Sequence, residues 1–359
     1  MRRSQALNRK SSLQTGQYVS HETQSGELIL NFIFEYAERN RMPNLNDYLY
    51  KLTHLKRGIT KYGLAPHKTI LLITLLELVN NGHITSNRVF VDTELVGIFQ
   101  ENWRLLVSTL HQPDFTQPFF YLQSEKIGNK PIWQLIAKPG CQINAHIKSV
   151  NTLIQVLEYG HFDSELFQLL AEPAARQSIL LALLSAYFPE TQQLYFNNKR
   201  SGEGYYHDLQ DYVLNEPEAQ YKTVRIETEE DVFVRGGLFK KLIPKVYNNT
   251  CCITGMRLES TFGHNFIDAC HITPFSISHD DKVSNGLALC PNLHRAFDRG
   301  LIAVDSNYHV ITSKHVNEDI LHGYSLNQLR GKKLILPTTQ QYRPALENLE
   351  WHRNQIFKS

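Results

Sequence analysis

Apolar positions along this chain change period several times, and each change marks an element. From Glu27 to Asn40, Leu28, Leu30, Phe32, Ile33, Tyr36 and Ala37 return at helical spacing, which predicts an amphipathic helix. Asn44 or Asn46 is the predicted cap of a second helix running through Leu55, with Lys56 and Arg57 at or just past its last turn, where the helix dipole favours cations. Pro66 to Gly82 is the most apolar stretch. Its polar strip is so narrow that a buried central helix is predicted, with Pro66 in the first turn and Gly82 as the stop. A short strand-like run follows at 88–91, then a helix over about 93–108. Between Phe115 and Gly140 two aromatic-rich runs flank Gly128 and Asn129, the composition of a hairpin or wing laid against helices. Leucines at helical spacing from Val150 to Tyr187, broken at Pro173, predict two or three more helices.

Beyond Pro189 the pattern fails. NNKRSGEGYYHD and the acidic ETEED at 227–231 predict an interdomain linker over 191–235, with one docked helix around Asp208 to Leu214. A basic helix carrying Arg235, Lys240, Lys241 and Lys245 comes next, and residues 250–300 read as strand, turn, strand, loop and helix. The expected organisation is a polar mobile tail at 1–26, a mainly helical domain at 27–190 and a second domain at 236–359. The fold class is α+β.

Composition narrows the function classes. With 42% hydrophobic and 20% charged residues, the 359-residue chain can bury two proper cores. No apolar run is long enough for a membrane span, and the first 26 residues lack the apolar stretch of a secretory signal, so a cytoplasmic location and no membrane partner are expected. A net charge of +2 gives no global argument for nucleic acid, so any such surface must be a local patch. Four of the five cysteines fall between positions 251 and 290, which is not the framework of a secreted disulfide protein, and reduced thiols are expected.

The chemistry gathers between Asp268 and Gly300. His271 ends a strand, Asn285 stands fourteen residues on, His294 nine beyond that, and Asp298 four further on the same helix face. Histidine, carboxylate and carboxamide are what a hard divalent cation and an activated water require.

In order and spacing, His271, Asn285 and His294 within the apolar frame LALCPNLHRAFDRGL resemble the HNH nucleases, whose fold is the ββα-metal unit, over roughly 247–310. The resemblance implies that His271 is a general base, that Asn285 orients its imidazole through a loop hydrogen bond, and that His294 ligates one divalent ion. Mg²⁺ is the first choice, with Mn²⁺ or Ni²⁺ tolerated. Asp268 or Cys270, and Asp298, would complete the ligands, and Asp268 is favoured because a thiolate suits Mg²⁺ poorly. Neither of the CxxC pairs that hold zinc in several relatives is present, so no structural zinc is expected. Arg295 and Arg299 are either phosphate clamps or a solvated helix face.

The N-terminal part resembles the sulfur-binding domain of type IV restriction enzymes, through the His67–Lys68 pair that opens the buried helix and through PFFYL at 118–122. The implied site binds modified DNA: Pro118 and Tyr121 form an apolar cup and Lys68, beside His67, holds the phosphate, while Phe119 and Leu122 pack inward. Gln117 stands where those relatives carry Tyr, which leaves phosphorothioate, methylated bases and an unmodified sequence all open as targets. The expected activity is that of a restriction or defence endonuclease acting on double-stranded DNA, as a homodimer. Its alternatives are a sequence-specific restriction or nicking enzyme and a catalytically degenerate HNH-fold DNA-binding protein.

Overall fold

The computed structural model describes residues 45–201, 204–214, 228–258, 260, 265–318 and 325–359. The predicted polar tail and the first predicted helix lie outside these residues. The chain divides into two compact units, 1–205 and 206–359.

In the first unit, α1 (Leu45–Thr53), the short antiparallel strands β1 (Ile59–Thr60) and β2 (Gly63–Leu64), and α2 (His67–Asn80) follow one another. Helix α2 is the predicted central helix. Ile70, Leu71, Ile73 and Leu75 have no exposed surface, and even Thr69 and Thr74 are buried, Thr74 returning its hydroxyl to the carbonyl of Ile70. Burying each such Leu or Ile contributes about 1.5–3 kcal/mol, so the stripe that made this helix legible also anchors the domain. Next comes α3 (Thr93–Leu106), capped by the carboxylate of Asp92, which accepts from the amide of Leu95. The strand-like run before it contributes only Val89, through a single bridge to Gly160.

The aromatic segment departs from expectation. Thr116–Tyr121 is a short helix, α4, and not the first strand of a wing. Asp114 starts it by accepting from the amide of Gln117, and Phe115 and Phe119, four apart, both point into the core. The hairpin at Gly128 exists but is minimal, with β3 (Lys126–Ile127) against β4 (Lys130–Pro131). Strand β5 (Trp133–Ala137) pairs with a partner far along the chain. After α5 (Val150–Val156) the leucine pattern, which predicts two or three helices, instead turns into strand β6 (Leu157–Phe162), antiparallel to β5 with Trp133 opposite Phe162. Gly160 explains the turnover: any Cβ there would overlap the buried Trp133 ring, so the two backbones close only with glycine. Helices α6 (Ser164–Ala171), α7 (Pro173–Tyr187) and α8 (Gln192–Ser201) complete the unit, and α6 and α7 break at Pro173 as predicted.

Helix α9 (Tyr205–Leu214) follows, and it contains the helix expected around Asp208 to Leu214. The acidic run assigned to the linker is instead the first turn of α10 (Glu229–Val246), where Thr228 caps the amide of Asp231 and Glu229, Glu230 and Asp231 complement the helix dipole. Helix α10 lies on the hairpin of β7 (Asp268–His271) and β8 (Gly286–Leu289), whose register sets His271 opposite Gly286. The strand, turn, strand reading of residues 250–300 makes CCITG, at 251–255, the first strand and FIDACHI, at 266–272, its return. CCITG is a turn, and it reaches the sheet through the amide of Cys252, which donates to Ala288. Strand β8 was hidden because all four of its residues are buried, which removes the alternation that identifies a strand. Between β7 and β8 lies the short α11 (Phe275–Ser278). Helix α12 (Pro291–Asp298) follows β8, and the hairpin of β9 (Ile302–Val304) and β10 (Val310–Thr312) and the terminal α13 (Leu346–Gln355) close the unit. Among the described residues no single helix is long and apolar enough to cross a membrane.

Candidate functional site

Strand β7 is held between two helices, and its two faces carry different chemistry. Alternation sends Asp268 and Cys270 to one face, where both meet α12. His271, at the strand end, turns towards α10. Its ring stacks on Phe239, with centroids 3.8 Å apart and planes 8° from parallel. The close approach of α10 requires Gly286: a Cβ there would overlap Ile243 and lie 3.0 Å from the Phe239 ring.

Asn285 is fully buried and does not touch the imidazole among the described residues. Its carboxamide oxygen accepts from the amide of Thr273 (2.9 Å), and its Nδ2 donates to the carbonyls of Thr273 and Asp280 (3.0 Å each). Asn285 thus staples the loop that follows His271. The direct partner of the ring is on that loop: His271 Nε2 lies 2.9 Å from Oδ1 of Asp281. Asp281 went unnoticed in the sequence because an Asp in SHDDKVSN looks like any solvated turn residue.

On the α12 face, His294 is contacted at both nitrogens. Nδ1 lies 3.2 Å from Asp268 Oδ2, and Nε2 lies 3.5 Å from Asp298 Oδ2. Cys270 Sγ lies 3.8 Å from Asp298 Oδ1, and one ligand atom each from Cys270, His294 and Asp298 falls within 4.8 Å of the others. Complete burial, with Asp298 and Asp268 adding repulsion, pushes the Cys270 thiol well above its usual range. The imidazole of His294 and the carboxylate of Asp298 suit a hard divalent cation completed by water, for which the Cys270 sulfur is the softer, poorer donor. A cavity of about 390 Å³ is lined by His271, His294 and Asp298 together with Lys240, Phe275 and His352, and Asp268 is not in its wall. His352 is held beneath by stacking on Phe297 and by donating to its carbonyl, and burial lowers its pKa to about 4, which keeps it neutral. Lys240 was legible only as part of a basic helix. Arg295 and Arg299 are exposed and do not line the cavity.

In the first unit, His67, Lys68, Pro118 and Tyr121 do meet. With Lys56, Arg57, Thr60, Ala65 and Gln117 they line a pocket of about 480 Å³. The cations are not equivalent. His67 is buried against Trp103, Nε2 facing the Gln112 carbonyl at 3.0 Å, and burial lowers its pKa, so it is a neutral wall and supplies no charge. Lys68 is held by the fully buried Glu125 carboxylate, the Ser124 hydroxyl (2.8 Å) and the Lys56 carbonyl (2.9 Å), which uses all three ammonium protons. Lys51 takes the other Glu125 oxygen. Burial alone would raise Glu125, but these two lysines outweigh it and hold the carboxyl below its ordinary value. Phe119 and Leu122 are fully buried, and Tyr121 is 47% exposed.

Comparison with known proteins bears on the second unit. The HNH endonuclease family matches residues 251–305, a segment containing His271, Asn285 and His294. A type IV methyl-directed restriction enzyme of Escherichia coli K12, EcoKMcrA, is 31% identical over 85 residues, which is 23% of this chain and 31% of the relative. The chain thus spans about a third of the length of the curated relative it matches. Among solved structures, the modification-dependent TagI restriction endonuclease aligns with 25% identity over 34% of this chain and 39% of its own, at a TM-score of 0.27, too low to bear on the fold. Residues 251–305 of this chain are an HNH endonuclease domain, homologous to a type IV restriction enzyme.

Proposed function

We propose that the protein is a metal-dependent DNA endonuclease of restriction type, directed by its first unit to DNA carrying a modification. The observation that carries the reading is the single cavity shared by His271, His294 and Asp298 within an HNH frame. His271 takes the proton of the attacking water. His294 and Asp298 hold the cation, and Asp268 fixes His294 through Nδ1, the arrangement by which a carboxylate orients a ligating histidine. A divalent cation such as Mg²⁺ held by His294 and Asp298 would supply positive charge to offset the scissile phosphate and the departing 3′ oxygen. Lys240 holds a phosphate oxygen at the cavity wall.

The pocket of the first unit supports modification dependence. Pro118, Ala65 and Tyr121 offer an apolar surface beside Lys56 and Arg57. A weakly hydrated sulfur or methyl group gains there while the nearby phosphate keeps its counter-charge. The methyl-directed activity named for the E. coli relative is consistent with this. One HNH site cuts one strand, so a double-strand break requires two copies of the chain on the duplex.

The test is cleavage of matched plasmids, unmodified, phosphorothioated or methylated, by purified protein with Mg²⁺. Cleavage of one marked plasmid alone is expected. Equal cleavage of all three would leave a sequence-specific restriction or nicking enzyme, and no metal-dependent cleavage of any would leave a DNA-binding protein with a dead site.

A further inference from the structure

Asp281 and Arg235 are 1% and 2% exposed, the carboxylate and guanidinium most withdrawn from water around the HNH cavity. An ion pair removed from water is costly unless its geometry repays the lost hydration. Here the geometry is directed at one ring. Asp281 Oδ1 lies 2.9 Å from His271 Nε2, while Oδ2 faces a terminal nitrogen of Arg235 at 3.5 Å. Arg235 stands four residues before Phe239 on α10, so one helix face supplies both the counter-charge of Asp281 and the aromatic surface on which His271 lies. The loop carrying Asp281 is pinned from below by Asn285 through the Asp280 carbonyl. Among the described residues, His271 Nδ1 has no hydrogen-bond partner, and the ring lines the cavity with His294 and Asp298.

We propose that Asp281 is the positioning residue of His271, itself held in place by Arg235. This rests on the nuclease reading above. The carboxylate accepts from Nε2–H and so selects the tautomer whose lone pair is on Nδ1, the nitrogen that Asp281 does not engage. As the water oxygen bonds to phosphorus and the P–O3′ bond breaks, the water's proton passes to Nδ1. The resulting imidazolium is stabilised by the Asp281 charge, the leaving 3′ oxygen takes a proton from solvent, and His271 later returns its own to solvent. Asn285 acts one step further away, by holding the loop.

The experiment uses the full chain. Asp281→Asn keeps shape and removes charge, and its amide can donate to Nε2, which selects the wrong tautomer. Under single-turnover conditions with Mg²⁺ and cleavable plasmid, its rate is expected to fall about 10²- to 10⁴-fold with unchanged DNA affinity. Asp281→Glu should recover part of the loss. Selective ¹⁵N-histidine labelling, with His271 assigned from its disappearance in His271→Gln, should report Nε2–H in the native protein and Nδ1–H in Asp281→Asn. A purely structural role would move neither the tautomer nor the rate at constant affinity. If Asp281→Asn leaves Arg235 buried without a partner and fails to fold, the double variant Arg235→Met with Asp281→Asn removes both charges, and the same rate loss is expected of it. Native protein that cuts while a folded variant lacking Asp281 cuts equally fast would overturn this proposal alone. Native protein that cuts no DNA would overturn the nuclease reading and this proposal with it.

Discussion

His271 and Lys68 are both partly buried basic groups beside a cavity, each tied to a buried acid, yet they are held in opposite ways. Asp281 engages one nitrogen of His271, whose ring lines the cavity, and among the described residues the other nitrogen has no hydrogen-bond partner. Glu125, Ser124 and Lys56 engage all three protons of Lys68 and leave none. A group held at one end can accept from a substrate, whereas a group satisfied at every donor must first break a bond to do so. Lys68 is therefore part of the pocket's frame, and in the proposed function the cations that would meet phosphate there are Lys56 and Arg57. In the same proposal Pro118 and Tyr121 are the apolar surface that would discriminate.

The comparison is broken or sharpened most directly at its two centres. His271→Ala is expected to cut cleavage by at least ~10²-fold, with DNA affinity kept in a gel-shift assay; wild-type rates of nicking would remove it as the base. Glu125→Gln leaves Lys68 and Lys51 without their buried partner and should destabilise the first unit by about 3–5 kcal/mol in urea unfolding, with little effect on the second. A loss below about 1 kcal/mol would show that the cluster is not the frame it resembles.

Smaller effects refine the picture. Asp268→Asn, which loosens His294 without emptying the cavity wall, should raise the Mg²⁺ needed for half-maximal cleavage by about 10- to 100-fold while saturating Mg²⁺ restores most of the rate. Were Asp268 a direct ligand, saturation would not restore it. Because the Glu125 carboxyl is held below its ordinary 4.5, its contribution to stability is complete above that pH and is lost as pH falls through the lower folded value. Acid unfolding of the first unit should therefore steepen below about pH 4.5, and Glu125→Gln should flatten it. Smallest of all, Arg57→Ala should weaken DNA binding and lower the salt slope by about one, whereas Lys68→Gln should leave the slope unchanged.

Legibility in the sequence followed locality. His294 and Asp298 were readable because four residues on a helix always share a face, and α2 because its apolar residues leave almost no polar strip. Strand β8 carried no alternation because both its faces are covered, and Thr116–Tyr121 was read as strand because aromatic residues favour either element until Asp114 caps one of them. Gln117, which the resemblance to sulfur-binding domains would have as Tyr, lines the pocket.

The order and spacing of His271, Asn285 and His294, the helix that carries Asp298, and the pairing of His67 with Lys68 at the start of a buried helix belong to the sequence alone, since each depends on neighbours a few residues away or on a short motif. What acts on those residues was decided by the tertiary structure. Asp281 reaches His271 only because a loop stapled by Asn285 folds back, Arg235 and Phe239 only because α10 lies on the sheet at Gly286, and Glu125 silences Lys68 across 57 residues of chain. Charge is felt through space, and burial, which strengthens it, exists only once the core has closed.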